Sequence, residues 1–369
     1  MKKILFLIHD LGHGGAEKVL INLVNNMDPL KFDITVMSLF GGGVNEQFLD
    51  SHIRLINCFP ESIPGNSHLM KLLSPRQLHK FLIKESYDIE VAYLEGPSSR
   101  IISGCTNPHT KLVSWIHIEQ HTTQKAAASF RSVVEAKHCY RRFEKIVCVS
   151  QTVLEDFQRI MQVDVPHMVL YNTNETEKIL ALKDEPVGQL FHKEELNVVG
   201  VGKVLKNKGF DRLARIHAKL RKKGYPIHTY ILGVGPEQKN IESYLSQEHC
   251  QDSFTFLGYQ TNPYKFISKC DLFVCASFAE GFSTAATEAL IVGTPVCTVE
   301  VSGMKEMLGA NNEYGLVVPN DDSSLYQGIK KLLDEPELLA HYKRQAQLRG
   351  KDFSTERTVQ AVEEMLLNL

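Results

Sequence analysis

The chain has 369 residues, 43% hydrophobic and 23% charged, with a formal net charge of −2. That length exceeds one average domain and predicts two globular cores. The near-balanced charge excludes the strong basic excess of a general nucleic-acid binder. Eight cysteines form no C-x-x-C pair, and several sit in apolar runs such as IVCVS and LFVCAS. They read as small buried hydrophobes of a reducing compartment, with neither a zinc site nor a disulfide framework indicated.

Lys2 and Lys3 before ILFLI imitate the start of a signal peptide. The apolar run is short and ends at His9 and Asp10, so a first β-strand, Lys3 to Ile8, is expected. A glycine turn (Gly12, Gly14, Gly15) then leads into a helix from Ala16 to Met27, with Val19, Leu20, Leu23 and Val24 on one face. Such a turn lets backbone approach a phosphate, although the full G-x-G-x-x-G spacing is absent. His9 and His13 flank it. Further strands are expected at Phe32 to Leu39, Ile53 to Ile56, Ile89 to Tyr93, Lys111 to Trp115 and Lys145 to Val149. A helix from Leu69 to Ser86 would bury Leu72, Leu73, Leu78, Phe81 and Leu82. Ser150 caps another, Thr152 to Met161. This alternation predicts a doubly wound parallel sheet.

Near Asn172 the pattern breaks into a polar run ending in proline and glycine, which reads as a linker over 176–194. The domains are thus 1–175 and 195–352, with a final helix at about 353–369 that packs back on the first. In the second, strands are expected at 196–201, 227–232, 253–257, 272–275, 295–298 and 315–317. Helices are expected at 209–222, 236–248, 263–269, 283–292 and 323–349. The fold class is α/β, with two Rossmann-like halves facing a cleft and ligands at the C-terminal strand ends. No apolar run reaches the ~18 residues of a membrane-spanning helix.

Four loops follow strand ends in the second half: Gly200 to Leu213, Gly233 to Glu237, Leu257 to Tyr264 and Ala276 to Phe282. The first sets Lys203, Lys206 and Lys208 before a helix, where they suit a diphosphate; a solvated basic loop gives the same pattern. The last holds Glu280 before a helix that carries Glu288. Gly281, Ser283 and Thr284 between them leave free N–H groups that favour an anion. An ordinary strand–loop–helix unit has the same outline.

Taken together, the strings GGAEK (from Gly14), VGKVLKNKGFDRL (Val201), LGVGPE (Leu232), FLGY (Phe256), EGFSTAATEAL (Glu280), GTPV (Gly293) and GLVVP (Gly315) resemble the retaining glycosyltransferases of family 4, with the GT-B fold. The E-x7-E element, Glu280 and Glu288, is the family's most recognisable mark. The resemblance implies that Glu288 holds the ribose hydroxyls of a nucleotide-sugar donor and that Glu280 lies beside the sugar. It places the N–H groups of Gly281, Phe282, Ser283 and Thr284 on sugar and phosphate. Lys203, where many relatives carry arginine, and Lys208 would neutralise the diphosphate. Gly14 and Gly15 would close on it, and Gly233, Gly258 and Tyr259 would complete the donor site. His117, with His121 nearby, would contact the sugar near its hydroxymethyl group. His117, Glu280, Lys203 and Lys208 are thereby assigned to the chemistry. At Asn172, YNTN replaces the family's PNG-like turn. The resemblance further implies front-face displacement with retention, no metal and no cofactor beyond the nucleotide sugar, UDP-sugar being favoured.

The first half would hold a saccharide or lipid-linked acceptor. The basic segment 125–145, with Phe130, Val133, Val134 and Tyr140, fits either an anionic membrane surface or a surface helix. The expectation is a cytoplasmic enzyme of cell-surface polysaccharide synthesis that touches the inner face of the membrane. A nucleotide-sugar epimerase, a glycogen-type synthase and a non-catalytic partner subunit remain as alternatives.

Overall fold

The computed structural model describes every residue except His13, 62–69, Gln189, His192 and Lys193. The chain divides into two units, Met1–Asn174 with Thr355–Leu369, and Glu175–Ser354.

The first unit is built on a parallel sheet of seven strands: β1 (Lys2–Ile8), β2 (Phe32–Phe40), β3 (Arg54–Phe59), β4 (Ile89–Ala92), β5 (Lys111–Ile116), β6 (Lys145–Cys148) and β7 (His167–Val169), in the order β3-β2-β1-β4-β5-β6-β7. Ile4 to Ile8 are wholly buried, as a run without alternation requires when helices cover both faces of a sheet. Helix Gly15–Asn26 buries Val19 to Val24. Helix Gln151–Met161 starts where the Ser150 side chain accepts from the Val153 N–H. The final helix, Thr355–Leu367, belongs to this unit. Its Glu363 carboxylate accepts from the Asp28 N–H and the Lys31 ammonium, at 2.7 and 2.8 Å.

Two expectations for this unit are corrected. The helix expected from Leu69 to Ser86 is Pro75–Leu82. Ser74 and Gln77 form a capping box with Pro75 at the first turn, and this fixes the start. Leu72 and Phe81 are therefore exposed, while Leu78 is buried; Leu69 lies outside the described residues. Segment 125–145 is not a single surface helix either. It holds two short helices, Thr123–Ala126 and Val133–Tyr140. Phe130 and Tyr140 are buried and pack on each other, and Tyr140 also packs on Phe157. Of its apolar residues, Val134 is the strongly exposed one, at 78%.

The second unit carries a six-stranded parallel sheet: β8 (Leu196–Val201), β9 (Ile227–Leu232), β10 (Phe254–Gly258), β11 (Leu272–Cys275), β12 (Val296–Val299) and β13 (Leu316–Val318), ordered β10-β9-β8-β11-β12-β13. Its core runs from Val198, Ile231 and Val274 to Leu213, Leu220, Leu325 and Ile329 on flanking helices. The segment expected as a linker begins with helix Thr176–Leu182, which is part of this unit; Ile179 supplies its buried contact. The helix expected over 323–349 is two, Asp322–Asp334 and Pro336–Arg349, because Pro336 cannot continue a helix but suits the start of one.

Each sheet reverses its strand order once, between β1 and β4 and between β8 and β11. Connections leave in opposite directions at such a point. This opens a crevice beyond the carboxyl ends of the two strands, where ligands bind in open α/β sheets.

Candidate active site

In the second unit, the switch point is lined by the loops that follow β8 and β11. Several contacts stitch them together. The Phe278 N–H donates to the Asn207 carbonyl at 2.8 Å. Gly209 has φ +67, and a Cβ there would collide with the Ala276 carbonyl oxygen, so this close approach needs glycine. Lys208 Nζ donates to Glu280 Oε1 at 2.7 Å, and Ser277 Oγ donates to the same oxygen at 2.6 Å. Burial works against the Lys208 charge. The Glu280 carboxylate and its hydrogen bond outweigh it, so the ammonium's pKa is raised, and Lys208 stays cationic.

Helix Thr284–Val292 follows. Ser283 is its N-cap, accepting from the Ala286 N–H at 3.4 Å. From Ala286 to Val292 every residue is buried. Leu290, Ile291 and Val292 each contribute about 1.5–3 kcal/mol in such a setting. Glu288 stands among them, 3% exposed, with the Tyr264 hydroxyl 3.4 Å from Oε1. A buried carboxylate is costly unless it is hydrogen-bonded, and the Tyr264 hydroxyl is one neighbour that can donate to it. Gly281 and Phe282 are buried and Thr284 is half-buried.

Gly233 donates its N–H to the Gly258 carbonyl at 2.8 Å, joining the loops after β9 and β10. Tyr259 beside it is 52% exposed. Lys203 is exposed. The sequence-predicted residues of the second half thus fall on one edge of one sheet. Glu280 and Lys208 are in direct contact.

In the first unit, the β1/β4 switch point carries the glycine turn and the loop after β4. Gly14 caps helix Gly15–Asn26 and lies against the Glu17 carboxylate, which occupies the helix N-terminus that Gly14 and Gly15 expose. The His9 ring bonds Asp10 at 2.7 Å; His13 lies outside the described residues. His117 follows β5. Its ring packs on Tyr93, with centroids 4.9 Å apart. Burial lowers its pKa to about 3, against the opposing effect of a hydrogen bond to the Tyr93 backbone. Its Nε2 is buried with no hydrogen-bond partner among the described residues. His121, in contrast, is exposed, with φ +63.

Two groups of side chains bring potential metal ligands together among the described residues: His79, Glu90 and Cys105, and Glu119, His121 and Asp156. Neither fits a metal well. His79 bonds Glu90 directly at 2.8 Å. Asp156 accepts from the Gln120 and His121 N–H groups and is neutralised by Arg159.

Comparison with known proteins identifies the family and the fold. Residues 13–178 match the family model "Glycosyltransferase Family 4" and residues 183–349 match "Glycosyl transferases group 1". The chain belongs to the family 4 glycosyltransferases. The Campylobacter jejuni N-acetylgalactosamine-N,N'-diacetylbacillosaminyl-diphospho-undecaprenol 4-alpha-N-acetylgalactosaminyltransferase is 28% identical over 369 residues, covering 96% of each chain. Anabaena Alr3699/HepE, solved in complex with UDP, superposes over 100% of both chains with a TM-score of 0.77 and 19% identity. Sucrose-phosphate synthase from Thermosynechococcus elongatus covers 100% of this chain and 99% of its own, with a TM-score of 0.79 and 18% identity. The two parallel-sheet units are those of the GT-B fold.

Two residues of this glycosyltransferase escape a reading of the sequence. Arg212 is 2% exposed; its guanidinium lies 4.0 Å from the Phe278 ring centroid, bonds Asn320 at 2.8 Å and pairs with Asp322 at 2.9 Å. It holds the β11 loop that bears Glu280. Its sequence signal is only an arginine one turn into the helix after the lysine loop. Glu95 follows β4 and accepts from the His117 N–H at 2.9 Å. Its signal is a carboxylate directly before Gly96-Pro97 at a strand end.

Proposed function

We propose that this glycosyltransferase transfers a sugar from a UDP-sugar to a lipid-linked saccharide, retaining anomeric configuration without a metal ion, in cell-surface polysaccharide synthesis. The observation that carries this reading is the Lys208–Glu280 contact across the β8/β11 switch point, one loop away from the Ser283-capped helix that buries Glu288. A fixed cation, a helix N-terminus and a buried carboxylate along one crevice support the reading, because a nucleoside diphosphate linked to a sugar calls for a countercharge, N–H donors and a hydroxyl acceptor. The printed name of the Campylobacter relative, an N-acetylgalactosaminyltransferase acting on a diphospho-undecaprenol saccharide, supports the substrate class.

In this reading Glu288 accepts the ribose hydroxyls. Lys208 and Lys203 neutralise the diphosphate as negative charge develops on the leaving oxygen, the role a metal plays elsewhere, and the Gly281 to Thr284 amides add donors. Tyr259, Gly233 and Gly258 flank the nucleotide. Glu280 faces the sugar and is held by Lys208 and Ser277. A double displacement needs a free carboxylate nucleophile. Glu280 is committed to an ion pair and Glu288 to ribose, which favours front-face displacement, with the diphosphate taking the acceptor proton. Among the described residues no helix is long and apolar enough to cross a membrane. The enzyme reaches its acceptor at the inner membrane face from the first unit.

The test is UDP release from a panel of UDP- and GDP-sugars, UDP-N-acetylgalactosamine first, with and without an undecaprenyl-diphosphate-linked saccharide. Acceptor-dependent release of UDP, unchanged by EDTA and giving an α-linked product, is expected. Release only from GDP-sugars, loss of activity in EDTA or a β-linked product would overturn it, and conversion of the donor without acceptor would identify an epimerase.

A further inference from the structure

Two donors of different character meet on one oxygen of Glu280. Lys208 Nζ reaches Oε1 at 2.7 Å and Ser277 Oγ reaches it at 2.6 Å. A carboxylate oxygen has two lone pairs, so each donor has its own place. Ser277 is short, 3% exposed and three residues before Glu280 in the same loop. Lys208 comes from the loop after β8, on a long side chain that is 27% exposed. Its ammonium has three N–H donors. One goes to Glu280, and among the described residues the others have no acceptor.

The Ser277 hydroxyl is oriented from behind. Cys275, the last residue of β11, donates its S–H to Ser277 Oγ at 3.6 Å. Burial raises the Cys275 pKa, and the Glu280 charge adds to this, so the thiol keeps its proton and acts as a donor. A hydroxyl that accepts from one neighbour directs its own proton to another, here Glu280. The order of donation, Cys275 to Ser277 to Glu280, is thus built into the end of β11. It gives the carboxylate a donor that does not depend on Lys208.

We propose that Ser277 is a positioning residue that holds Glu280 on its own, so that the Lys208 ammonium is released to an incoming diphosphate. This rests on the reading that a nucleoside diphosphate binds beside Lys208. A cation passes from one anion to another more readily when the one it leaves keeps a second donor, because a shielded carboxylate left bare is costly. Without Ser277, Lys208 is the sole donor to Glu280, and the diphosphate must compete for it.

The test is calorimetry of the full chain with UDP and with uridine, which lacks the diphosphate. Ser277→Ala should weaken UDP binding by about tenfold and leave uridine binding unchanged. Ser277→Thr, which keeps the hydroxyl, should restore most of the loss. In a Lys208→Ala background, Ser277→Ala should weaken UDP binding no further, since no cation is left to release. Equal weakening of uridine, or full additivity with Lys208→Ala, overturns the proposal. Should Ser277→Ala fail to fold, Cys275→Ala against Cys275→Ser carries the same comparison through the orientation of the hydroxyl. If the wild type binds neither ligand, the functional reading fails, and the 15N-lysine spectrum then decides the role of Ser277. With the Lys208 signal assigned by its loss in Lys208→Ala, Ser277→Ala should shift that signal, and an unshifted one overturns the proposal.

Discussion

Lys208 Nζ lies 2.7 Å from Glu280 Oε1, joining loops that follow two adjacent strands of different chain position. Both groups are partly shielded from water, at 27% and 12% side-chain exposure. The pair acts in two ways: it holds the Glu280 loop, and it keeps a cation where a diphosphate is expected.

Lys208→Ala should therefore lose kcat by about 10²–10³-fold, the scale of removing one donor from developing charge. It leaves Glu280 with Ser277 alone and should cost on the order of 1–3 kcal/mol of stability. Single-turnover kinetics at saturating donor and urea denaturation separate the two effects. Near-normal turnover in a destabilised variant would leave Lys208 with a structural role only.

Glu288 is buried in helix Thr284–Val292, with Thr287 as the other polar residue of the buried stretch. Glu288→Ala should weaken UDP binding by about 10–100-fold, as expected when a charged hydrogen-bond acceptor is lost. Calorimetry with UDP measures this directly, and unchanged affinity would remove Glu288 from the ribose site. Binding of a sugar without nucleotide should be unaffected.

Arg212 reaches Phe278, Asn320 and Asp322 from one guanidinium. Arg212→Ala should destabilise the chain by about 1–3 kcal/mol and raise KM for the donor, because the Glu280 loop loses its backing. Arg212→Lys keeps the charge but not the planar stack, and should recover less than half of the loss. A denaturation midpoint identical to wild type in Arg212→Ala would show that the loop holds itself.

Stability should depend on pH in two opposed directions. Burial lowers the His79 pKa, but hydrogen bonds to Cys105 and Glu90 and the Glu90 charge raise it further, from 6.5 to about 9. The folded state thus binds the His79 proton more tightly. That stabilisation is complete below about pH 6.5 and is lost as pH rises through about 9, on the order of 2–3 kcal/mol. Burial does the reverse to His117 and His217, each lowered to about 3. Their contribution is present above pH 6.5 and lost as pH falls toward 3. Denaturation midpoints should peak near pH 6.5, and His79→Gln should flatten the alkaline limb alone. An unchanged alkaline limb in that variant would refute the assignment.

What the sequence revealed, and what it hid, follows from the range of the interactions. Buried parallel strands announce themselves as apolar runs: β11, LFVC, begins and ends where its run does, and β8 and β9 keep the expected bounds although Asn197, His228 and Thr229 interrupt theirs. Glycine-rich loops before helices were legible for the same reason, since their residue types answer local backbone demands. Ser74-Pro75 and Pro336 were equally local signals, and they outrank the apolar periodicity that suggested longer helices. Arg212 and Glu95 were not legible. Their partners come from other strands and helices, and nothing in the neighbouring residues sets an arginine in a buried stack apart from one in water. The pairing of Lys208 with Glu280 was hidden too. Each was expected at the donor site, but their mutual contact depends on β8 and β11 being neighbours.

The Thr355 hydroxyl donates to the Asn174 carbonyl at 2.7 Å, so the chain leaves the first unit and re-enters it at the same spot. In genetic terms the second unit is an insertion: an unbroken cassette, 175–354, placed inside a host whose last helix is encoded after it. Ending the gene at residue 354 would not trim a tail. It would strip the host of Glu363 and its bonds to Asp28 and Lys31. Joining 174 directly to 355 would instead yield the host alone, and 175–354 the cassette alone, two minimal proteins for assigning each half of the reaction.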